Sequence, residues 1–129
     1  MRLYAASAYR SYDVQKRLYN GYLKRDKGNV ALVDTYSARP GHSEHQTGLC
    51  VDFTTDSIGG AVDDKFENTA AFEWLSENAY KYGFGLRYPK DKTDITGYKY
   101  EPWHYRFVGR EVAIEITEYG LTLEEYLAQ

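Results

Sequence analysis

The chain has 129 residues, of which 43% are hydrophobic and 14 are Tyr, so length and composition indicate one folded domain and exclude a disordered chain. A net charge of −3, with 16 basic and 19 acidic residues distributed along the chain, provides no broad basic surface for a nucleic-acid partner. No stretch approaches the roughly 20 apolar residues of a membrane span, and the first residues lack the apolar core of a secretory signal.

The N-terminal part predicts a strand, a capped helix and a long loop. Residues 3–8 form a short apolar run that reads as a strand, and because no element precedes it, we expect that the N-terminus is trimmed from a longer protein. Ser11 can cap a helix whose apolar positions recur every four residues and which ends near Gly28. Residues 34–48 are rich in Ser, Gly, Thr and Pro, which is typical of a loop.

The rest of the chain predicts a mixture of strands and helices. Residues 49–54 alternate between apolar and polar side chains, which predicts a strand with two different faces. Periodic apolar residues predict a second helix over 68–82. The other predictions are a flexible turn over 56–64, a short strand over 85–88, a polar hairpin or loop over 89–99, a strand over 103–108 and a helical tail from Arg110 with a capping box at Thr122 and Glu125.

The order of these elements predicts the fold class. Strands and helices do not alternate strictly, and hairpin-like connections join the later strands. We therefore expect a small α+β domain over residues 1–129, with a largely antiparallel central sheet flanked by helices.

Two short segments carry candidate metal ligands. His45 lies in the loop and Asp52 lies on the polar face of the strand that follows it. Glu101 and His104 form a second acid and imidazole pair, and Pro102 disfavours a helical conformation at Glu101, so this pair is expected on a bend that enters a strand.

A catalytic zinc site uses three nitrogen or oxygen ligands and leaves a position for water, with a free carboxylate nearby. His45, Asp52 and His104 could be the ligands, and Glu101 could be the general base. His42 could replace His45, and Cys50 shares the strand face of Asp52 and is a possible soft ligand. The spacing alone does not exclude the alternative that these are ordinary hydrogen-bonded side chains.

Three separated motifs resemble the zinc D-Ala-D-Ala carboxypeptidases, the family that includes VanY-type carboxypeptidases, VanX-type dipeptidases and some phage endolysins. The family pattern S-x-H-x-x-G-x-A-x-D followed by E-x-x-H is similar to SEHQTGLCVD and EPWH in this chain, and SAYRSYDVQ is similar to the family's Y-R-S-x-x-x-Q segment. One position departs from the pattern, because Cys50 stands where the family has a small Ala. The matching positions are Arg10, Gln15, Ser43, His45, Gly48, Asp52, Glu101 and His104.

The resemblance implies a Hedgehog-like peptidase fold and a role for each matched residue. His45, Asp52 and His104 would bind Zn2+, and Glu101 would be the general base. Arg10 would be both catalytic and substrate-binding, because a guanidinium can pair with a carboxylate or an oxyanion. Gln15, Ser43 and Ser37 would help to bind the same end of the peptide. Without the resemblance, Arg10 would be interpreted as a surface residue at a helix start, Ser43 as a turn or cap residue, and Gln15 as part of a solvated face.

The resemblance also implies a substrate and a location. We expect a zinc metallopeptidase that removes the terminal D-Ala from peptidoglycan stem peptides or their precursors, acting as a monomer on the outer face of a bacterial membrane. The alternatives are an L,D-carboxypeptidase or a peptidoglycan endopeptidase with the same site, or a binding module that contains zinc and does not catalyse a reaction.

Overall fold

The computed structural model describes residues 1–129, and a four-stranded sheet lies at its centre. All three strand pairs are antiparallel, and the strand order is β1-β2-β4-β3. The strands are β1 (Tyr4–Ser7), β2 (Cys50–Thr54), β3 (Phe84–Leu86) and β4 (His104–Phe107). The antiparallel α+β class predicted from the sequence is confirmed.

Six α-helices accompany the sheet. The first, α1, follows β1 and begins after Ser11, whose side chain accepts a hydrogen bond from the backbone N–H of Val14. None of the helices has the length and apolar character needed to cross a membrane. The helices are α1 (Tyr12–Arg25), α2 (Val30–Val33), α3 (Ala70–Asn78), α4 (Thr93–Thr96), α5 (Arg110–Tyr119) and α6 (Leu123–Leu127).

The hydrophobic core lies against one face of the sheet, and the polar residues of the central strands lie on the other. Tyr105 of β4 belongs to the core, and its ring is 5.7 Å from that of Phe53 in β2. The neighbouring residues Asp52 and His104 therefore point to the opposite face, because side chains alternate along a strand. The core residues are Phe66, Ala71, Leu75, Ala79 and Tyr105.

Several predicted boundaries differ from the structure for local reasons. The predicted helix over 68–82 begins later, because Thr69 accepts a hydrogen bond from the N–H of Phe72 and so acts as the cap of α3. Its last turn is a 3-10 helix, Ala79–Tyr82, which ends at Gly83 with a φ of +88°. The segment 89–99, predicted as a hairpin or loop, contains the short helix α4.

Candidate metal centre

His45 is placed by a single 3-10 turn inside the predicted loop. Ser43 starts this turn by accepting a hydrogen bond from the N–H of His45, and Gly48 ends it with a φ of +74°, which leads the chain into β2. The Nδ1 of His45 lies 2.6 Å from the carbonyl oxygen of Ala8, which can only accept, so Nδ1 donates. This bond leaves Nε2 to face the interior of the site.

Asp52 and His104 meet because β2 and β4 pair in register. The two residues are direct partners across this antiparallel pair. Asp52 Oδ1 lies 3.1 Å from His104 Nδ1 and also 3.1 Å from His45 Nε2. The structure therefore brings the three predicted ligand side chains together, although they come from a turn and two strands. All three are buried.

Glu44 fixes the other nitrogen of His104. Its Oε1 accepts from Nε2 of His104 at 3.1 Å, so Nδ1 is the nitrogen that faces Asp52 and His45. Oε2 of Glu44 accepts from Arg87 Nε at 2.7 Å and from Arg106 Nη1 at 2.9 Å. The sequence motifs do not single out Glu44, and the one sequence signal for it is its place between the motif residues Ser43 and His45.

The spacing of the donor atoms fits a small divalent cation. Ligand atoms about 2.0–2.2 Å from one zinc ion in a tetrahedron lie about 3.3–3.6 Å from each other, and the two separations measured from Asp52 are 3.1 Å. Burial raises the pKa of Asp52, but hydrogen bonds from His104 and His45 outweigh it and lower that pKa to about 2. The ionised carboxylate and two oriented imidazoles are the donor set that zinc prefers.

Cys50 lies close to the two imidazoles of the cluster. One ligand atom from each of His45, Cys50 and His104 lies within 4.8 Å of the others, so the thiol could be an alternative ligand. Cys50 is only 1% exposed, however, and it is not among the residues that line the cleft described below. His42, the alternative to His45, is exposed, and its Nδ1 lies against the carbonyl of Pro40, so it does not join the cluster.

Glu101 lies beside the cluster without joining its hydrogen bonds. Its Oε1 is 3.7 Å from His104 Nδ1, and the residue is 7% exposed. Burial raises the pKa of Glu101 to about 7, against the lowering effect of His104 and with a smaller raising contribution from Asp52. The predicted bend is present, because the N–H of His104 donates to the carbonyl of Glu101. A carboxyl group with a pKa near neutrality can both accept and return a proton.

Arg10 reaches the site from the segment between β1 and α1, and Gln15 holds it there. Arg10 Nη1 donates to Gln15 Oε1 at 2.9 Å, and Arg10 Nη2 lies 3.6 Å from Asp52 Oδ2. Gln15 is 2% exposed, and its Nε2 donates to the carbonyl of Ala38 at 2.8 Å. Nε of Arg10 is buried and has no hydrogen-bond partner. Gln15 is therefore committed to Arg10 and the backbone, and reading it as a solvated residue is wrong.

An open cleft of about 810 Å³ passes over the cluster. Tyr36, Tyr98 and Trp103 form part of its wall, as side chains that can pack against an extended peptide. Ser43 and Ser37 also line it, and each is buried. Every predicted site residue lines this cleft, namely Arg10, Gln15, Ser37, Ser43, His45, Asp52, Glu101 and His104.

Known proteins share both the sequence and the fold of this chain. A D-alanyl-D-alanine carboxypeptidase of Enterococcus faecalis is 43% identical over 95% of this chain and 46% of its own length. The LD-carboxypeptidase LdcB is 48% identical in sequence to this chain. Its solved structure superposes with a TM-score of 0.89, and the match covers 98% of this chain and 58% of the LdcB chain. A VanY D,D-pentapeptidase mutant in complex with Zn(II) is 42% identical, with a TM-score of 0.80 over 97% of this chain and 71% of that one.

The chain spans 45% and 46% of the length of two curated relatives, to which it is 49% and 43% identical. Its residues 1–110 match the family model described as VanY, D-alanyl-D-alanine carboxypeptidase. That match covers the motifs of the cleft, from Arg10 to His104. The chain therefore belongs to the VanY D-alanyl-D-alanine carboxypeptidase family.

Proposed function

We propose that this chain is a single catalytic domain that binds zinc and hydrolyses the terminal D-Ala peptide bond of peptidoglycan stem peptides or their precursors. The observation that carries the proposal is the convergence of His45 Nε2, Asp52 Oδ1 and His104 Nδ1 in an open cleft, with the carboxyl group of Glu101 beside them. The VanY structure with Zn(II) supports zinc as the metal.

Three residues hold the metal in this proposal. His45, Asp52 and His104 are the ligands, because their donor atoms face each other. The remaining nitrogen of each imidazole and the remaining oxygen of the Asp52 carboxylate are held by the backbone or by other side chains. Bound zinc supplies a Lewis acid that polarises the scissile carbonyl and lowers the pKa of water. Cys50 stays behind these ligands and leaves the cleft side open for water and substrate.

Glu101 moves the proton. Its carboxylate takes a proton from the attacking water and returns it to the amine that leaves when the peptide bond breaks. Arg10 donates hydrogen bonds to the oxyanion or to the terminal carboxylate of the peptide, and Gln15 holds its guanidinium in position. Ser43 and Ser37 line the same cleft and add hydroxyl groups that can bind the peptide end.

The setting of the domain follows from its substrate. Assembled peptidoglycan lies outside the membrane, and we propose the bacterial cell envelope as the location on the ground that the family acts on the cell wall. All of the proposed catalytic groups come from one chain, so the proposed reaction requires no residue from a second copy, and we propose that the domain acts as a monomer.

Product analysis tests the proposal and its main alternative. The zinc-loaded protein is incubated with a pentapeptide stem that ends in D-Ala-D-Ala, with a tetrapeptide stem that ends in one D-Ala, and with a cross-linked muropeptide. Mass spectrometry should detect loss of one D-Ala from the pentapeptide. The similarity to the LD-carboxypeptidase LdcB favours the tetrapeptide as the second candidate substrate.

The other outcomes identify the remaining alternatives. Cleavage of the tetrapeptide alone would replace the D,D assignment by an L,D-carboxypeptidase. Cleavage of the cross-linked muropeptide alone would indicate an endopeptidase. A protein with stoichiometric zinc that cleaves none of the three would be a binding module.

A further inference from the structure

A row of charged side chains connects the proposed metal ligand His104 to the C-terminal helix α6. His104 Nε2 donates to Glu44 Oε1 at 3.1 Å, and Arg87 Nε donates to Glu44 Oε2 at 2.7 Å. Arg87 Nη1 then donates to Glu124 Oε1 at 2.6 Å, and Glu124 belongs to α6. We call this row of Glu44, Arg87 and Glu124 the ion-pair chain.

The ion-pair chain is buried at its inner end, next to His104, and partly exposed at its outer end. The side chains of Glu44 and Arg87 are 9% and 13% exposed, whereas that of Glu124 is 33% exposed. The two oxygens of the Glu44 carboxylate accept hydrogen bonds from His104, Arg87 and Arg106, and a buried carboxylate with three such donors is held tightly in place.

Arg87 can orient Glu44 because it is held at both ends. Its guanidinium has one N–H group on Glu44 and another on Glu124, so the plane of the group is fixed from two directions. Its backbone N–H donates to the carbonyl of His104 at 3.1 Å, which ties the same residue to β4. Arg106 also donates to Glu44, so loss of Glu124 should loosen the carboxylate without releasing it.

The helix that carries Glu124 lies outside the residues that match the family model, which end at 110. It is nevertheless well anchored, because Thr122 and Glu125 form a reciprocal capping box and Lys92 donates to Glu125 at 3.0 Å. The end of the chain therefore holds Glu124 in a defined place beside Arg87.

We propose that Glu124 is a positioning residue of the metal site, acting through Arg87 and Glu44 on the ring of His104. Outer hydrogen bonds that orient a metal-binding imidazole contribute about 10–100-fold to metal affinity. Glu124 is further from the metal, so its effect should be smaller. The inference rests on the proposed function only in requiring that a metal binds at His104, and its test measures binding rather than turnover.

The test is a double-mutant cycle on zinc affinity. The dissociation constant of zinc is measured by competition with a chromophoric chelator for the wild type, E124Q, R87K and the double variant. Lys at position 87 keeps the positive charge but cannot hold two carboxylates in the fixed plane of a guanidinium. We expect E124Q to weaken zinc binding by roughly three- to tenfold, which is less than the effect of a residue that hydrogen-bonds directly to a metal-binding imidazole. The double variant should bind no more weakly than R87K, because the two residues act as one unit.

The matched control is E118Q, the same change at an exposed glutamate of α5 that makes no ion pair. It should bind zinc as the wild type does. Chemical unfolding of each variant shows whether the fold is intact, and E124Q is expected to fold because the Glu124 side chain is one third exposed. Wild-type zinc affinity in a folded E124Q, or additive effects in the double variant, would overturn the inference. A wild-type chain that binds no zinc would overturn the proposed function as well.

Discussion

Asp52 and His104 are direct partners in the antiparallel β2–β4 pair, and one oxygen of Asp52 lies 3.1 Å from His104 Nδ1. The same oxygen is 3.1 Å from His45 Nε2. A slip of one residue in this register would turn one of the two side chains to the core face of the sheet. The proposed metal site is therefore set by strand pairing.

Glu101→Gln should slow turnover strongly and keep the metal. The amide has nearly the same size as the carboxyl group but cannot accept the proton of water, so kcat should fall by about 10²–10⁴-fold. Zinc content, measured by elemental analysis, should equal that of the wild type because Glu101 is outside the proposed ligand set. Full activity of the variant on its D-Ala-ended peptide would show that another group is the base.

Asp52→Asn and Cys50→Ala should separate the two possible ligand sets. Loss of the Asp52 carboxylate removes a proposed ligand, so zinc affinity should fall by more than about 100-fold, beyond the effect of outer hydrogen bonds. Cys50→Ala restores the small residue of the family pattern and should keep zinc affinity near that of the wild type.

Cobalt substitution gives a direct spectroscopic readout of the same question. A thiolate bound to Co2+ produces a sulfur-to-metal charge-transfer band in the near ultraviolet. We expect no such band in the cobalt-loaded wild type, so its near-ultraviolet spectrum should match that of cobalt-loaded Cys50→Ala. If that band is present, Cys50 is a ligand, and the proposed site with three ligands and an open position is wrong.

Gln15→Leu should weaken catalysis through Arg10. The change removes the acceptor for Arg10 Nη1 and the donor to the carbonyl of Ala38. Leaving buried polar groups unpaired costs about 1–3 kcal/mol each, so both stability and kcat/KM should fall, the latter by about tenfold or more. Asn20→Leu, on the exposed face of α1, is the control and should leave both unchanged. Unchanged kcat/KM in a folded Gln15→Leu would contradict the positioning role.

Zinc affinity should rise with pH between about 6.5 and 9. Burial lowers the pKa of His45, but hydrogen bonds with Asp52 and Cys50 and the charge of Asp52 outweigh it and raise that pKa from 6.5 to about 9 in the metal-free protein. Zinc needs the neutral ring and must displace this proton, so affinity should increase by about tenfold per pH unit for each proton displaced. Chelator competition across this range measures the slope, and a flat profile would contradict the raised pKa.

The raised pKa of His45 also predicts that the metal-free fold is less stable at high pH. Below pH 6.5 the His45 ring is protonated in both the folded and the unfolded chain, and its pairing with Asp52 stabilises the metal-free fold fully. As the pH rises through about 9, the folded ring loses its proton and this contribution is lost. Urea unfolding of the metal-free protein should therefore give a lower free energy of unfolding above pH 9 than below pH 6.5, and the decrease should be smaller in His45→Gln.

The sequence alone was sufficient for the elements that depend on local chemistry. Ser11 has a side chain that caps α1, and the alternation through β2 reflects one polar and one apolar face. The motif residues His45, Asp52, Glu101 and His104 could also be named as one cluster before any coordinates, because their resemblance to a known pattern carries spatial information that spacing does not.

Only the tertiary structure decided which atoms face each other. The partners Glu44–Arg87 and Arg87–Glu124 are separated by 43 and 37 positions, and no local rule connects them. The position of Cys50 behind the cleft, the hydrogen bond that commits Gln15 to Arg10, and the burial of Glu101 likewise depend on how β2, β4 and α1 pack together. Local sequence chooses caps, turns and strand faces, whereas pKa values and the contacts of distant charges arise from packing that brings remote segments together.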